Sequence, residues 1–155
     1  MQNPPPEQQG YGNQYGMPPN APAATADVKG KTGIGLDANL AAALGYPIGL
    51  LAIIMFIMEK ENKFARFHAL QSLLYHVAAI VFFIALMFIG LILALILSSI
   101  SGSLATLVGI IIWLLYMVVF FAYFGGLLYA AYKAYQGHWF KLPLVGNFAE
   151  KTVNK

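Results

Sequence analysis

The 155-residue chain has no cysteine, and only 10% of its residues are charged. A typical soluble domain carries about 25% charged residues. Without cysteine there is no disulfide, no thiolate metal site, no thiol nucleophile and no dithiol redox pair. Residues 67–132 contain no Asp, Glu, Lys or Arg at all, a stretch that no water-soluble fold of this size needs. Residues 1–14 have neither the basic region nor the apolar core of a cleavable signal, so none is expected. The formal net charge of +3 is too small and too scattered for the dense basic face of a nucleic-acid binder, and no nucleic-acid partner is expected.

What the chain has in excess is apolar surface: 59% of residues are hydrophobic and mean hydropathy is +0.68. About 20 apolar residues in a helix cross a hydrocarbon core of about 30 Å. The pattern predicts an all-α membrane protein with three transmembrane helices over about 38–58, 69–97 and 104–132. Asp37 is the expected N-cap of the first helix, Pro47 its expected kink, and Ser98 to Ser103 the only clear break between the second and third. A count of four, from splitting a long segment at Gly90 or at Gly125-Gly126, is the alternative. Six of the eight prolines lie in the first 38 residues among Gln, Asn and Gly, a composition that cannot offset its chain entropy. Residues 1–36 are therefore expected to be a disordered tail, and 37–155 the transmembrane domain with a C-terminal segment 133–155. Gly30-Lys31-Thr32 and Gly33-Ile34-Gly35-Leu36-Asp37-Ala38 resemble phosphate-binding loops but lack the required glycine and the preceding strand, respectively.

Three crossings would gather Lys60, Lys63 and Arg66 on one side with Lys133, Lys141, Lys151 and Lys155, leaving Lys29 and Lys31 opposite. By the positive-inside rule the 59–68 loop and the C-terminus are then cytoplasmic. The expected location is integral to a membrane, the bacterial inner membrane.

The polar residues at the entry to the second helix fall on one face: His68, Ser72 and His76 at i, i+4 and i+8, with Gln71 and Tyr75 beside them. In hydrocarbon such a stripe has to face other helices or a wet cavity. His76 reads either as a proton or solute relay or as a packing hydrogen bond. No metal site is expected, since His68 and His76 are about 12 Å apart along the axis and no acid accompanies them. Small residues recur every fourth position at Ala41, Gly45 and Gly49, and again at Ala122, Gly126, Ala130 and Ala134, faces suited to close helix packing within the bundle or between copies. Lys63, Phe64, Arg66 and Phe67 at one end, with Trp139, Lys141 and Pro143 at the other, read as interfacial anchors or a recognition surface. A hydrolase needs a nucleophile with a positioned base and orienting acid. Ser72 and His76 lack the third member, so no catalytic residue and no cofactor is expected.

The segments Arg66-Phe67-His68-Ala69 with Gln71, and Lys141-Leu142-Pro143 with Gly146 and Ala149-Glu150-Lys151, resemble the signature blocks of small bacterial membrane proteins grouped as chloroplast-import-component-like, a family of unknown function. Related forms include the Tic-type channel subunit of the plastid inner-envelope translocon and the magnetosome membrane protein MamF. The resemblance covers about residues 36–151. It implies a helical membrane bundle with no known catalytic residue or cofactor, and for the plastid relatives a four-span part of a protein-conducting channel. The functional expectation is a non-enzymatic integral membrane protein that self-associates or joins other membrane proteins in a complex. The alternative is a transport or translocation component whose polar path is lined by the second helix.

Overall fold

The computed structural model describes Val28 and residues 30–154. Most of the expected disordered tail lies outside the described residues. Among those described the chain folds as helices α1 (Ala38–Leu44), α2 (Gly49–Met58), α3 (Lys63–Ile100), α4 (Gly102–Tyr135) and α5 (Gly146–Val153), with no strand beyond one isolated bridge between Lys31 and Asp37.

α3 and α4 form an antiparallel hairpin whose members, at about 1.5 Å per residue, are about 57 and 51 Å long. Both are long and apolar enough to cross a membrane. The expected break at Ser98 to Ser103 narrows to one residue. The Ser98 and Ser99 hydroxyls donate to the Leu95 and Ile96 carbonyls and stay helical. Ser101 alone is extended, and its hydroxyl accepts from Leu104 N to cap α4. α3 also starts earlier than the hydropathy suggests, because the Asn62 side chain accepts from Ala65 N at 2.9 Å and caps it at Lys63. Neither long helix breaks at Gly90 or Gly125-Gly126, the splits from which the four-span alternative is built.

The expected first helix over 38–58 is not continuous; it forms α1 and α2. Pro47 has no N–H, and the residue before a proline avoids helical geometry. With Gly45 ending α1 and Ile48 non-helical before α2, the chain reverses instead of kinking. Both ends of the segment then lie at the same end of the molecule. At its start, Asn39 Nδ2 donates to Tyr135 O beside the end of α4. At its finish, the Glu59 carboxylate accepts from Gly33 N at 2.6 Å. The reversal is tied to α3 at Ser72, whose hydroxyl donates to Gly45 O at 2.8 Å, about 14 Å along α3 from Lys63.

The last part of the expected tail is ordered. Residues 30–37 close a tight turn in which Thr32 N and its hydroxyl both donate to Leu36 O, and Gly35 takes a φ of 82° open to glycine. Asp37 occupies the N-cap position of α1, but its carboxylate makes no capping bond; Gly30 O accepts from Ala38 N instead.

The molecule thus has two parts. A head packs α1, α2 and α5 around the first turns of α3 and the last turns of α4, its apolar core holding Ala38, Ala41, Ala42, Tyr46, Met55 and Phe64. From Val77 onward the hairpin is apolar and largely exposed, over about 36 Å of α3 by helix rise, enough to span hydrocarbon.

Because native cysteine is absent, single cysteines report topology directly. In sealed vesicles, cysteines replacing Lys31, Glu61 and Asn147 should all react with an impermeant maleimide from one side, and one replacing Ser101 from the other. Reaction of positions 31 and 147 from opposite sides would show that the first apolar segment crosses after all.

Candidate functional site

The polar stripe of α3 faces the head interior. Tyr46, His68, Gln71 and Ser72 are all fully buried, and their hydrogen bonds join three segments distant in sequence. The directions follow from which atoms can only accept. The His138 carbonyl, 3.1 Å from His68 Nε2, requires the imidazole proton on Nε2. Nδ1 therefore carries a lone pair and accepts from the Tyr46 hydroxyl at 2.9 Å. The Tyr46 oxygen in turn accepts from Gln71 Nε2 at 2.6 Å. Gln71 Nε2 gives its second proton to Phe140 O at 3.0 Å, and Gln71 Oε1 accepts from Leu142 N at 3.0 Å. The donors and acceptors close on one another with His68 neutral, as burial without a counter-charge demands.

Aromatic rings seal the network. Phe64 and Phe67 pack edge-on to His68 with centroids 4.6 and 4.9 Å away, and Trp139 lies against both phenyl rings at 5.5 and 5.2 Å. Phe64 and Phe67, expected as anchors at the headgroup boundary, are therefore core residues without any exposed surface, and Trp139, also expected there, is partly buried against them. Aromatic residues beside Lys63 and Arg66 carry the same composition as an interfacial belt; helix direction turns the rings inward and leaves Lys63 exposed. Arg66 lies over the Phe56 ring at 5.6 Å. Lys141 pairs with Glu150 at 2.8 Å, and Pro143 is exposed.

The outer part of the stripe is quieter. His76 Nδ1 donates to its own helix at Ser72 O, 2.7 Å away, and its ring meets Tyr123 edge-on. Tyr75 stacks on Tyr123 and donates to Tyr123 O. Ser72 directs its proton at Gly45 O, so no base draws on its oxygen. Among the described residues no group of three His, Asp or Glu side chains converges as a metal site requires.

The small-residue faces divide. A Cβ on Gly126 would lie 2.6 Å from the Tyr75 hydroxyl, and Ala130 and Ala134 are buried in the head core, so this part of the α4 face packs within the chain. Ala122 is exposed and outside it. Ala41 and Gly45 are buried, whereas a Cβ on Gly49 would meet nothing within 4 Å.

Two participants escape the sequence reading. Tyr46 sits in an apolar segment and shows its role only once Pro47 turns the chain toward α3. Glu59 resembles a solvated loop acid, yet is 4% exposed and accepts from Gly33 N, Glu61 N and Asn62 N. It fastens the N-terminal turn to the α2–α3 connection, beside a polar cleft of about 500 Å³ that Lys31 and Lys60 also line.

Residues 32–149 match the magnetosome magnetite crystal formation protein family. A UPF0132 membrane protein of Methanocaldococcus jannaschii is 38% identical over 124 residues, covering 79% of this chain and 94% of the relative. A UPF0132 membrane protein of Archaeoglobus fulgidus is 38% identical over 116 residues, covering 74% and 94%. A second M. jannaschii protein of the same name is 29% identical over 121 residues, covering 76% and 71%. No solved structure matches. The matched span begins in the Thr32 turn and ends in α5, so it contains every residue of the buried network.

Gln71→Leu leaves Tyr46 Oη, Phe140 O and Leu142 N without their partner, at about 1–3 kcal/mol for each buried orphan. Thermal unfolding in detergent should show a loss of about 3 kcal/mol or more, with α3–α4 helicity retained by circular dichroism. Combined with Tyr46→Phe the loss should fall short of the sum by about 1 kcal/mol, the mark of a shared network. Strict additivity would mean that the two side chains act separately.

Proposed function

The chain belongs to the magnetosome magnetite crystal formation protein family, and from that starting point we propose that it is a non-enzymatic membrane protein that works by assembly, as a subunit or organiser of a membrane complex. Its partners on this reading are the bilayer and either further copies or other membrane proteins.

The observation that carries this reading is an unfilled groove in the spanning hairpin. Between α3 and α4 lies an apolar groove of about 690 Å³, lined by Gly90, Ala94, Ala105 and Gly109 among larger neighbours such as Phe83 and Trp113. A Cβ added to Gly109 would meet no atom within 4 Å. In lipid, where hydrophobic burial does not drive association, helices join through close van der Waals contact at small residues. Gly126, Ala130 and Ala134 are already used inside the chain; the groove is a small-residue surface of the hairpin open to another helix. Along the same hairpin, side chains such as Val81, Leu95, Val118 and Phe121 are more than 60% exposed.

Charge supports an orientation. Lys31, Lys60, Lys63, Arg66, Lys133, Lys141 and Lys151 all belong to the head end, and the turn at Ser98 to Ser103 has no charge. The positive-inside rule then favours two crossings, with the head in the cytoplasm and the membrane being the cell's own. The Tic-type resemblance would instead make the chain part of a conducting path lined by Gln71, Ser72, Tyr75 and His76. That reading needs polar groups free to meet a solute, and the amide of Gln71 and the hydroxyl of Ser72 are directed at protein partners. This favours assembly.

Ala94→Leu and Gly109→Leu fill the groove without touching the head. Crosslinking of the tagged protein in its native membrane should lose its products in these variants while unfolding of the head is unchanged. Purified protein that stays monomeric, with crosslinks untouched by either substitution, would overturn the assembly reading.

A further inference from the structure

Leu144 is 96% exposed and has a φ of 70°. In that left-handed region a side chain is disfavoured and glycine is not. Packing within the chain does not account for an exposed leucine in this conformation, which makes it a candidate for contact outside the chain.

Its position in the fold indicates what that use is. Between His138 and Leu142 the chain climbs along α3 toward the bare hairpin. His138 O meets His68, and Phe140 O and Leu142 N meet Gln71, one turn further on. There the chain reverses, with Gly146 N donating to Leu142 O at 2.9 Å. A Cβ on Gly146 would lie 2.7 Å from Gln71 Oε1, so the returning strand of the turn is held at that same height. The α1–α2 reversal is tied to the next residue of α3, where Ser72 donates to Gly45 O. Adjacent residues of one helix thus set two proline-containing apices at one level. Both apices present apolar side chains: Ile48 is 47% and Leu50 67% exposed beside Pro47, and Leu144 stands beside Pro143. The nearest basic group in sequence, Lys141, is engaged by Glu150. Val77, where the exposed apolar length of α3 begins, is five residues past Ser72, about 8 Å away.

We propose that the Pro143-Leu144 turn is a lipid-inserting wedge that enters the same bilayer leaflet as the Pro47-Ile48 turn, with Gln71 and Ser72 setting the common depth. The occupant of this surface is the acyl region of the near leaflet, because the apices continue the lipid-facing surface of the hairpin and carry no charge. The head is then seated in the membrane at its two rims as well as by its stem. This inference rests on the two-crossing reading above.

The test uses the full chain, whose lack of cysteine makes each introduced thiol unique. Leu144→Cys, Ile48→Cys, Ile96→Cys and Glu61→Cys are labelled with an environment-sensitive fluorophore. They are reconstituted in vesicles of phosphatidylcholine and phosphatidylglycerol with or without brominated acyl chains. Leu144 makes no buried contact, so its variant should keep the parent's helicity. The labels at 144 and 48 should be blue-shifted, quenched by brominated lipid as the label at 96 is, and protected from aqueous iodide. The label at 61 should behave in the opposite way. A label at 144 open to iodide and indifferent to bromine, with 96 quenched by bromine, overturns the wedge and leaves the topology standing. A label at 96 open to iodide overturns the topology itself. A label at 144 shielded from both quenchers until the protein is diluted with excess lipid assigns the turn to a second copy and overturns the lipid assignment.

Discussion

A buried glutamine amide has two protons to give and an oxygen to satisfy, and leaving any of them unmatched is expensive. Gln71 meets that demand on the hydroxyl of Tyr46 and on the backbone at Phe140 and Leu142. Those partners come from the reversal between α1 and α2 and from the chain beyond α4, both of which also pack on α3 through apolar and aromatic contacts. The amide fixes their register along the helix. The tautomer at His68 is set by His138 O, which takes the ring proton on Nε2 and leaves Nδ1 to accept from Tyr46. The head is therefore organised from one side of one helical turn, with the aromatic rings of Phe64, Phe67 and Trp139 keeping water from competing.

The two parts of the molecule are held by different forces. Polar bonds of fixed direction, a buried carboxylate at Glu59 and a packed apolar core give the head one arrangement. The hairpin has little of this: outward-facing apolar side chains, a stacked pair at Phe83 and Tyr116, and a groove that its own side chains leave open. Directed polar bonds are concentrated where the charges are, and exposed apolar surface along the hairpin. A family match that spans both parts accords with their acting together.

Much of this was legible from residue order. The uncharged run from 67 to 132 marked the long helices, and the spacing of His68, Gln71 and Ser72 marked a face that had to find partners. What hydropathy could not tell was whether an apolar segment passes through or turns back, because Ala38 to Met58 is equally apolar either way. Pro47 between two glycines implies a kink from the sequence alone; its neighbours on α3, invisible in one dimension, make it a reversal. Charge counting pulled the same way, since three crossings left only Lys29 and Lys31 out of place. A reversal removes even that discrepancy for Lys31, which returns to the head beside Glu59 and Lys60. Phe64 and Phe67 were misplaced because composition marks aromatic residues near a boundary without saying which way they point.

The single-residue link at Ser101 leaves the far end of the hairpin with almost no surface. With α3 ending at Ile100 and α4 starting at Gly102, the chain on that side offers a few hydroxyls and nothing a soluble molecule could grip. On the proposed orientation, a partner of the described residues would have to reach them from within the cell or sideways through the membrane.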